Sequence, residues 1–263
     1  MILTVDCGNT HTTVGCVDTD NSVCAVFRIP TDRRDTEFGY AAKMKEIFDL
    51  QKIDLALVQG AVISCVVPSM TDILKSAVRL LSGTEPLVVG AGVKTGLHIC
   101  INDPGTVAAD LVATAVSAKE EYPLPCMIVD MGTATTVTVV DERARFIGGA
   151  ILPGAGISLD ALASRAALLP HVDMTSPKHA IGADTAECMK SGIVYGTAGA
   201  VDGLLERFTQ ELGGAPASIV ATGGIAPLIA SHCKHTMQVD ETLLLRGLKR
   251  IWDKNHQTRD KKE

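Results

Sequence analysis

Twice in this chain an apolar, β-branched run ends in Asp-x-Gly and turns directly into two more runs of the same kind. The first run, residues 2–5, leads into Asp6-Cys7-Gly8-Asn9-Thr10, then residues 12–17 and 23–29. The second, residues 126–130, leads into Asp130-Met131-Gly132-Thr133-Ala134-Thr135-Thr136, with residues 135–140 and 146–152 completing the set. Breaks at Gly8-Asn9, 18–21, Gly132 and Asp141-Glu142 are short enough to be turns, so each set reads as a three-strand meander. Helical and strand-like segments alternate after each meander. This pattern predicts an α/β chain of two halves with like topology, each a mixed sheet flanked by helices, divided as residues 1–118 and 119–263.

Between the meanders, residues 36–49 place Met44, Ile47 and Phe48 on one helical face. Residues 55–67 are apolar enough for a strand buried on both faces. Pro68 opens a helix carrying Ile73, Leu74, Ala77 and Leu81. Residues 85–89 form a short strand before a Gly-rich connector, 90–96. The charged tail, 253–263, is expected to fray.

Hydrophobic residues make up 46% of the chain but aromatic residues only 3%, so the core must be aliphatic. A net charge of -6 argues against a general nucleic-acid binder. No apolar run approaches the ~20 residues that span a bilayer, and Asp6 arrives too early for a secretory signal. The eight cysteines form no C-x-x-C pair. They sit in apolar text, so the expectation is buried free thiols in a soluble cytoplasmic protein.

The two Asp-x-Gly turns have the composition of phosphate loops. Gly8 permits φ > 0 and close approach of a ligand, Asn9 and Thr10 add polar groups, and Asp6 can hold a hydrated divalent cation. Gly132 and Thr133, with the hydroxyls that follow, repeat this logic. An ordinary Asn/Gly hairpin turn is the plain alternative for the first loop. A third turn, Ala221-Thr222-Gly223-Gly224-Ile225-Ala226-Pro227, follows another apolar run and suits a nucleoside lying on bare backbone.

With those three turns in this order, the chain resembles the nucleotide-binding fold of acetate and sugar kinases, hexokinase, the heat-shock ATPases and actin. That fold has two ribonuclease-H-like halves about an interdomain cleft. More closely, it resembles the type III pantothenate kinase family over residues 1–252. The resemblance rests on the loops above, on Lys94-Thr95-Gly96-Leu97, Ala109-Asp110 and Gly148-Gly149-Ala150-Ile151-Leu152-Pro153-Gly154, and on Leu169-Pro170. It continues through Ile181-Gly182, Thr185, Ser191-Gly192, Tyr195-Gly196 and Val201-Asp202-Gly203. It implies transfer of the γ-phosphoryl of ATP to the 4′-hydroxyl of pantothenate, the first step of coenzyme A biosynthesis. It makes Asp110 the general base, with a helix-capping aspartate as the alternative. ATP would be bound by Asp6, Gly8, Asn9, Thr10, Gly132, Thr133, Gly223 and Gly224, with Mg²⁺ on Asp6. A monovalent cation, K⁺ or NH₄⁺, would sit at Asp130. Gly149, Gly154, Thr185, Ala108 and Leu111 would meet pantothenate. Other readings are a kinase of the same superfold for another small alcohol, and a catalytically weak nucleotide-binding regulator.

Spacing puts Asp110 near the start of a helix with Thr114 and Ser117 on its polar side; the helix dipole there does not favour a raised pKa. Two positions depart from the family pattern. Leu111 stands where the family has Arg, and Ala166 where it has Thr, so two pantothenate-facing donors are gone. A helix over about 191–210 has Val194, Ala198, Val201, Leu205 and Phe208 on one face and Gly192, Gly196, Gly199 and Gly203 on another. Family members are dimers that share the acceptor pocket, so the glycine stripe marks either a homodimer contact or close packing within the chain. His232-x-x-His235 reads as a polar loop rather than a metal site.

Overall fold

The computed structural model describes residues 1–256, in two compact units. In the first, β1 (Ile2–Cys7), β2 (His11–Val17) and β3 (Val23–Pro30) form the expected antiparallel meander. Helix α1 (Glu37–Leu50) follows, started by the Thr36 hydroxyl accepting from the Gly39 N–H, and it buries Tyr40, Met44 and Phe48. Strand β4 (Gly60–Cys65) then pairs parallel with β1, and α2 (Thr71–Ser82) and β5 (Leu87–Val88) complete a sheet of order β3-β2-β1-β4-β5.

The second unit repeats this order. Strands β7 (Cys126–Met131), β8 (Ala134–Val140) and β9 (Arg145–Pro153) form its meander. After α4 (Ala155–Arg165) and α5 (Thr185–Leu212), β10 (Ser218–Thr222) adds parallel to β7, and after α6 (Ala226–Ala230) β11 (Gln238–Val239) adds parallel to β10. The order β11-β10-β7-β8-β9 matches the first sheet strand for strand, with β6 (His98–Ile99) added beyond β9. Side chains of Met127, Val129 and Met131 point by pleat alternation into the core shared with α5 and α6.

Two remaining helices belong to the first unit, α3 (Ala109–Glu121) for nearly all its length and α7 (Leu243–His256). Helix α7 buries Leu243, Leu245, Leu248 and Ile251 and covers the face of the first sheet that carries Thr4 and Gly15. Gly247 allows it to approach α3: a Cβ there would lie 1.9 Å from the Ala113 carbonyl oxygen.

Several expectations need correction. The division at 118/119 misses that α7, from Thr242 on, returns to the first unit, and that residues 98–101 join the second through the pairing of β6 with β9. The apolar stretch 55–67 is not one strand. The Asp54 carboxylate accepts the Ala56 N–H at 2.9 Å and turns 55–57 into a 3₁₀ turn before β4 begins. Helix α3 has no solvated polar side, because residues 112–118 are all buried. The Thr114 hydroxyl instead donates to the carbonyl oxygens of Asp110 and Leu111, at 3.2 and 3.1 Å. All eight cysteines are free thiols, but Cys24 and Cys188 are exposed. Of the tail expected to fray, residues 253–256 form the last turn of α7, with Asp253 paired to Lys249 at 2.6 Å; residues 257–263 lie outside the described residues. Among the described residues no helix is long and apolar enough to cross a membrane.

Candidate functional site

Each Asp-x-Gly turn joins the central strand of its sheet to the next strand. Asp6 sits opposite Thr13 and Ser64 in the first sheet, and Asp130 opposite Thr136 and Thr222 in the second. The duplicated sheets therefore present the two carboxylates at equivalent positions.

In the first loop the Gly8 N–H donates to the His11 carbonyl at 3.0 Å, which closes a tight hairpin and leaves Asn9 and Thr10 exposed. Gly8 does not adopt a positive φ, contrary to expectation; what a side chain there would meet is the His11 carbonyl oxygen, at 3.2 Å. The loop is braced by the residue that follows β3: the Thr31 hydroxyl donates to the Gly8 carbonyl at 2.9 Å, and the Thr31 N–H to the Thr10 carbonyl at 3.0 Å. Arg33 reaches the same loop and donates to Asn9 Oδ1 at 3.2 Å. The Ser64 hydroxyl, on the strand beside Asp6, is fully buried with no hydrogen-bond partner among the described residues. An oxygen without a partner next to a carboxylate suits a hard, hydrated cation such as Mg²⁺.

The second unit brings three predicted segments together. Gly223 has φ +94°, and a Cβ on it would lie 2.6 Å from the Met131 carbonyl and 2.7 Å from Asp130 Oδ1. Only glycine fits where the third turn crosses the second loop. Gly154, which starts α4, is equally constrained: a Cβ there would lie 2.5 Å or less from the carbonyl oxygens of Gly132 and Thr133, and its N–H donates to Thr133 at 3.2 Å. So Asp130, Gly132, Thr133, Gly154 and Gly223 form one constellation, with Gly224 exposed beside it. Two expectations weaken here. Of the hydroxyl row, Thr135 and Thr136 are buried within the sheet, and Thr133 is the one left half-exposed. Gly149 is explained by its sheet, since a Cβ would sit 2.0 Å from the Val137 carbonyl oxygen of β8.

Asp110 is the second residue of α3 and half-buried, as are Ala108 and Leu111 beside it. Its Oδ1 accepts the Leu111 N–H at 2.7 Å. Burial pushes its carboxyl above the ordinary aspartate range, and the hydrogen bond from Leu111 offsets this only in part. Desolvation thus outweighs the helix dipole, the reverse of the expectation from position alone. Thr185 opens α5, and the neighbouring Asp184 carboxylate caps that helix by accepting the Glu187 N–H at 2.9 Å. The two histidines flanking Cys233 have separate partners: His235 Nδ1 lies 2.8 Å from buried Asp202, while His232 pairs with Ser176 and packs edge-on against Tyr195.

The glycine stripe of α5 has no packing role among the described residues. A Cβ on Gly192, Gly196, Gly199 or Gly203 would meet none of their atoms within 4 Å, so close packing against them is not what these glycines serve. Sequence reasoning passed over Arg33, Thr31 and Ser64. Their contacts with the first loop span more than 20 positions and leave no local pattern to read.

The profile of type III pantothenate kinases matches residues 2–207. A type III pantothenate kinase from Koribacter versatilis is 39% identical over 272 residues, covering 100% of this chain and 99% of its own length. One from Exiguobacterium is 41% identical over 255 residues, covering 97% and 99%. Among solved structures, the activator of the 2-hydroxyisocaproyl-CoA dehydratase from Clostridium difficile with bound ADPNP aligns with a TM-score of 0.60 at 13% identity, covering 100% of this chain and 98% of that one. At that identity the likeness concerns the fold.

Proposed function

Because this chain belongs to the type III pantothenate kinase family, we propose that its two Asp-x-Gly loops hold the phosphates of ATP while Asp110 accepts the proton of the pantothenate 4′-hydroxyl. The reaction is the family's ATP-dependent phosphorylation of pantothenate, which opens coenzyme A biosynthesis, with Mg²⁺ accompanying the nucleotide.

The observation that carries the reading is the burial of Asp110. A carboxylate whose pKa burial has raised is a better proton acceptor than a solvated one. Phosphoryl transfer through a loose transition state asks chiefly for alignment and for stabilisation of the equatorial oxygens. Backbone N–H groups, Asn9, Thr10 and Thr133 supply the second, and the tight turns at Gly8, Gly132 and Gly154 give them fixed positions. Asp6, beside the Ser64 hydroxyl, is the proposed ligand of the Mg²⁺ shell, whose charge offsets that of the phosphates. Asp130, whose Oδ1 stands 2.7 Å from where a Cβ on Gly223 would be, offers oxygen donors that suit a monovalent cation, K⁺ or NH₄⁺. Gly223 and Gly224 leave a surface of bare backbone for the adenosine.

On the acceptor side Ala108, Leu111, Gly154 and Thr185 are the proposed lining. Gly149 is there as well, by resemblance rather than by any need of its backbone. The proposed assembly is a homodimer with the acceptor site near the subunit interface. What supports it is the open glycine stripe of α5 and the exposed Tyr195 and Ile151 of the same unit. The cytoplasm, which holds the ATP, is the proposed compartment.

The test is product identification. Protein incubated with Mg-ATP, K⁺ and millimolar pantothenate is expected to yield 4′-phosphopantothenate and ADP in equal amounts. ADP release that ignores pantothenate, or that follows a different small alcohol, would refute the assignment of the acceptor.

A further inference from the structure

The segment 31–36, which leads from β3 into α1, is fixed beside the first loop from two sides. On the loop side Thr31 bonds to the carbonyls of Gly8 and Thr10, and its hydroxyl also lies 2.9 Å from that of Thr12. On the core side the Asp32 N–H donates to the hydroxyl of fully buried Tyr40 at 2.8 Å. The backbone that carries Arg33 is therefore held in place, although its side chain is exposed.

The charges of this segment are unequally matched. Arg34 turns back to the Asp32 carboxylate at 3.3 Å, and Lys43 takes Asp35 at 2.7 Å. Arg33 has no carboxylate partner among the described residues; its hydrogen bond goes to Asn9 Oδ1, at 3.2 Å. A guanidinium carries five N–H donors and no acceptor, so the Asn9 atom it meets is the amide oxygen. That contact sets the orientation of the carboxamide. Asn9 Nδ2, which has no partner among the described residues, is left as a donor at the exposed tip of the loop. A cation with unused donors and an amide nitrogen thus stand together on the loop that also carries the exposed Thr10.

We propose that Arg33 is a phosphate-binding residue of the first loop: it fixes the Asn9 amide with Nδ2 toward the nucleotide and donates its remaining N–H groups to the phosphates of ATP. This rests on the reading of that loop as a phosphate loop. A chain of net charge -6 has little general attraction for a polyphosphate, so a guanidinium placed at the loop has the more to contribute. Arginine suits the task because its planar fork matches two phosphate oxygens at once, whereas a lysine keeps the charge without the fork.

Calorimetric titration with Mg-ATP and with adenosine, on the full-length wild type, Arg33→Ala, Arg33→Lys and Arg34→Ala, tests this. Arg33→Ala is expected to weaken Mg-ATP binding about tenfold or more and to raise KM for ATP in step, while adenosine affinity and Tm stay at wild-type values. Arg33→Lys should recover part of the loss. Arg34→Ala, whose guanidinium is turned to Asp32, should bind Mg-ATP as wild type does. In an Asn9→Ala background the Arg33→Ala change should cost less than it does alone, because the two side chains act as one unit. Mg-ATP binding of wild-type strength in Arg33→Ala would overturn the assignment of Arg33 and leave the reading of the loop standing. An equal loss of ATP and adenosine would also overturn it, since the residue would then act on the fold and not on the phosphates. Failure of the wild type to bind Mg-ATP would refute the reading of the loop itself, and this inference with it.

Discussion

A carboxylate in the first turn of a helix is ordinarily stabilised as an anion by the helix dipole, yet at Asp110 burial prevails and raises the carboxyl pKa. The folded state therefore binds this proton more tightly than the unfolded chain does. The ionised form costs stability at pH values above the folded pKa, and that cost disappears as pH falls below the unfolded value of about 3.9. Asp110→Asn keeps the oxygen that accepts the Leu111 N–H but removes the buried charge. It is expected to lower kcat by about 10²–10⁴-fold while raising Tm at pH 8, with the difference in Tm shrinking toward pH 4. Calorimetry across that range, beside steady-state kinetics, checks both halves. The neighbouring Leu111 makes the opposite prediction for binding. Restoring the family's guanidinium with Leu111→Arg should lower KM for pantothenate about tenfold or more, as a charged hydrogen bond replaces none, and leave KM for ATP unchanged.

Helix α5 shows how an element can carry two messages. Its buried face, Val194, Ala198, Val201 and Leu205, was legible from helical spacing and forms the core of the second unit. The glycine stripe was legible as a pattern but not in meaning, because only the folded chain shows that nothing packs on it. Gly199→Ala should add up to ~1 kcal/mol to the stability of the folded subunit, since helix propensity improves with no clash inside the chain. In the proposed dimer the same methyl should weaken association, so light scattering and thermal denaturation move in opposite directions. The same helix holds Asp202, which accepts the N–H groups of Lys234 and His235 and the His235 ring. Burial pushes Asp202 upward, but these donors outweigh it and leave its carboxyl below the usual range. Asp202→Ala should cost about 2–3 kcal/mol by leaving buried donors without a partner. Wild type holds that advantage above the unfolded carboxylate pKa near 4 and loses it as pH falls through the lower folded value; urea denaturation at several pH values measures it.

At the scale of the molecule the chain is one topology used twice, and the two meanders announced it because alternating β-branched runs between tight turns leave few other folds open. The short strand at 85–89 was legible and stands as β5, whereas β6 was not, since two residues carry no periodicity. The return of α7 to the first sheet was illegible for another reason: an amphipathic helix states which face it buries but not what it buries it against. Its role predicts that truncation after residue 241 exposes the Thr4–Gly15 face of the first sheet and unfolds that unit, detectable as lost cooperativity and protease sensitivity confined to residues 1–97 and 102–120. Of the site, the glycine turns and Asp110 could be read from the sequence because turn chemistry is local. The bracing by Thr31 and Arg33 could not, because it joins positions far apart in the chain. In the proposed reaction the nucleotide loops bind ATP and the half-buried Asp110 takes the proton. Calorimetry of ATP binding and mass spectrometry of phosphopantothenate formation, on wild type and Asp110→Asn side by side, separate the two roles. Unchanged ATP affinity with product formation reduced at least about 10²-fold is expected; product formed at the wild-type rate by Asp110→Asn would refute the role of Asp110.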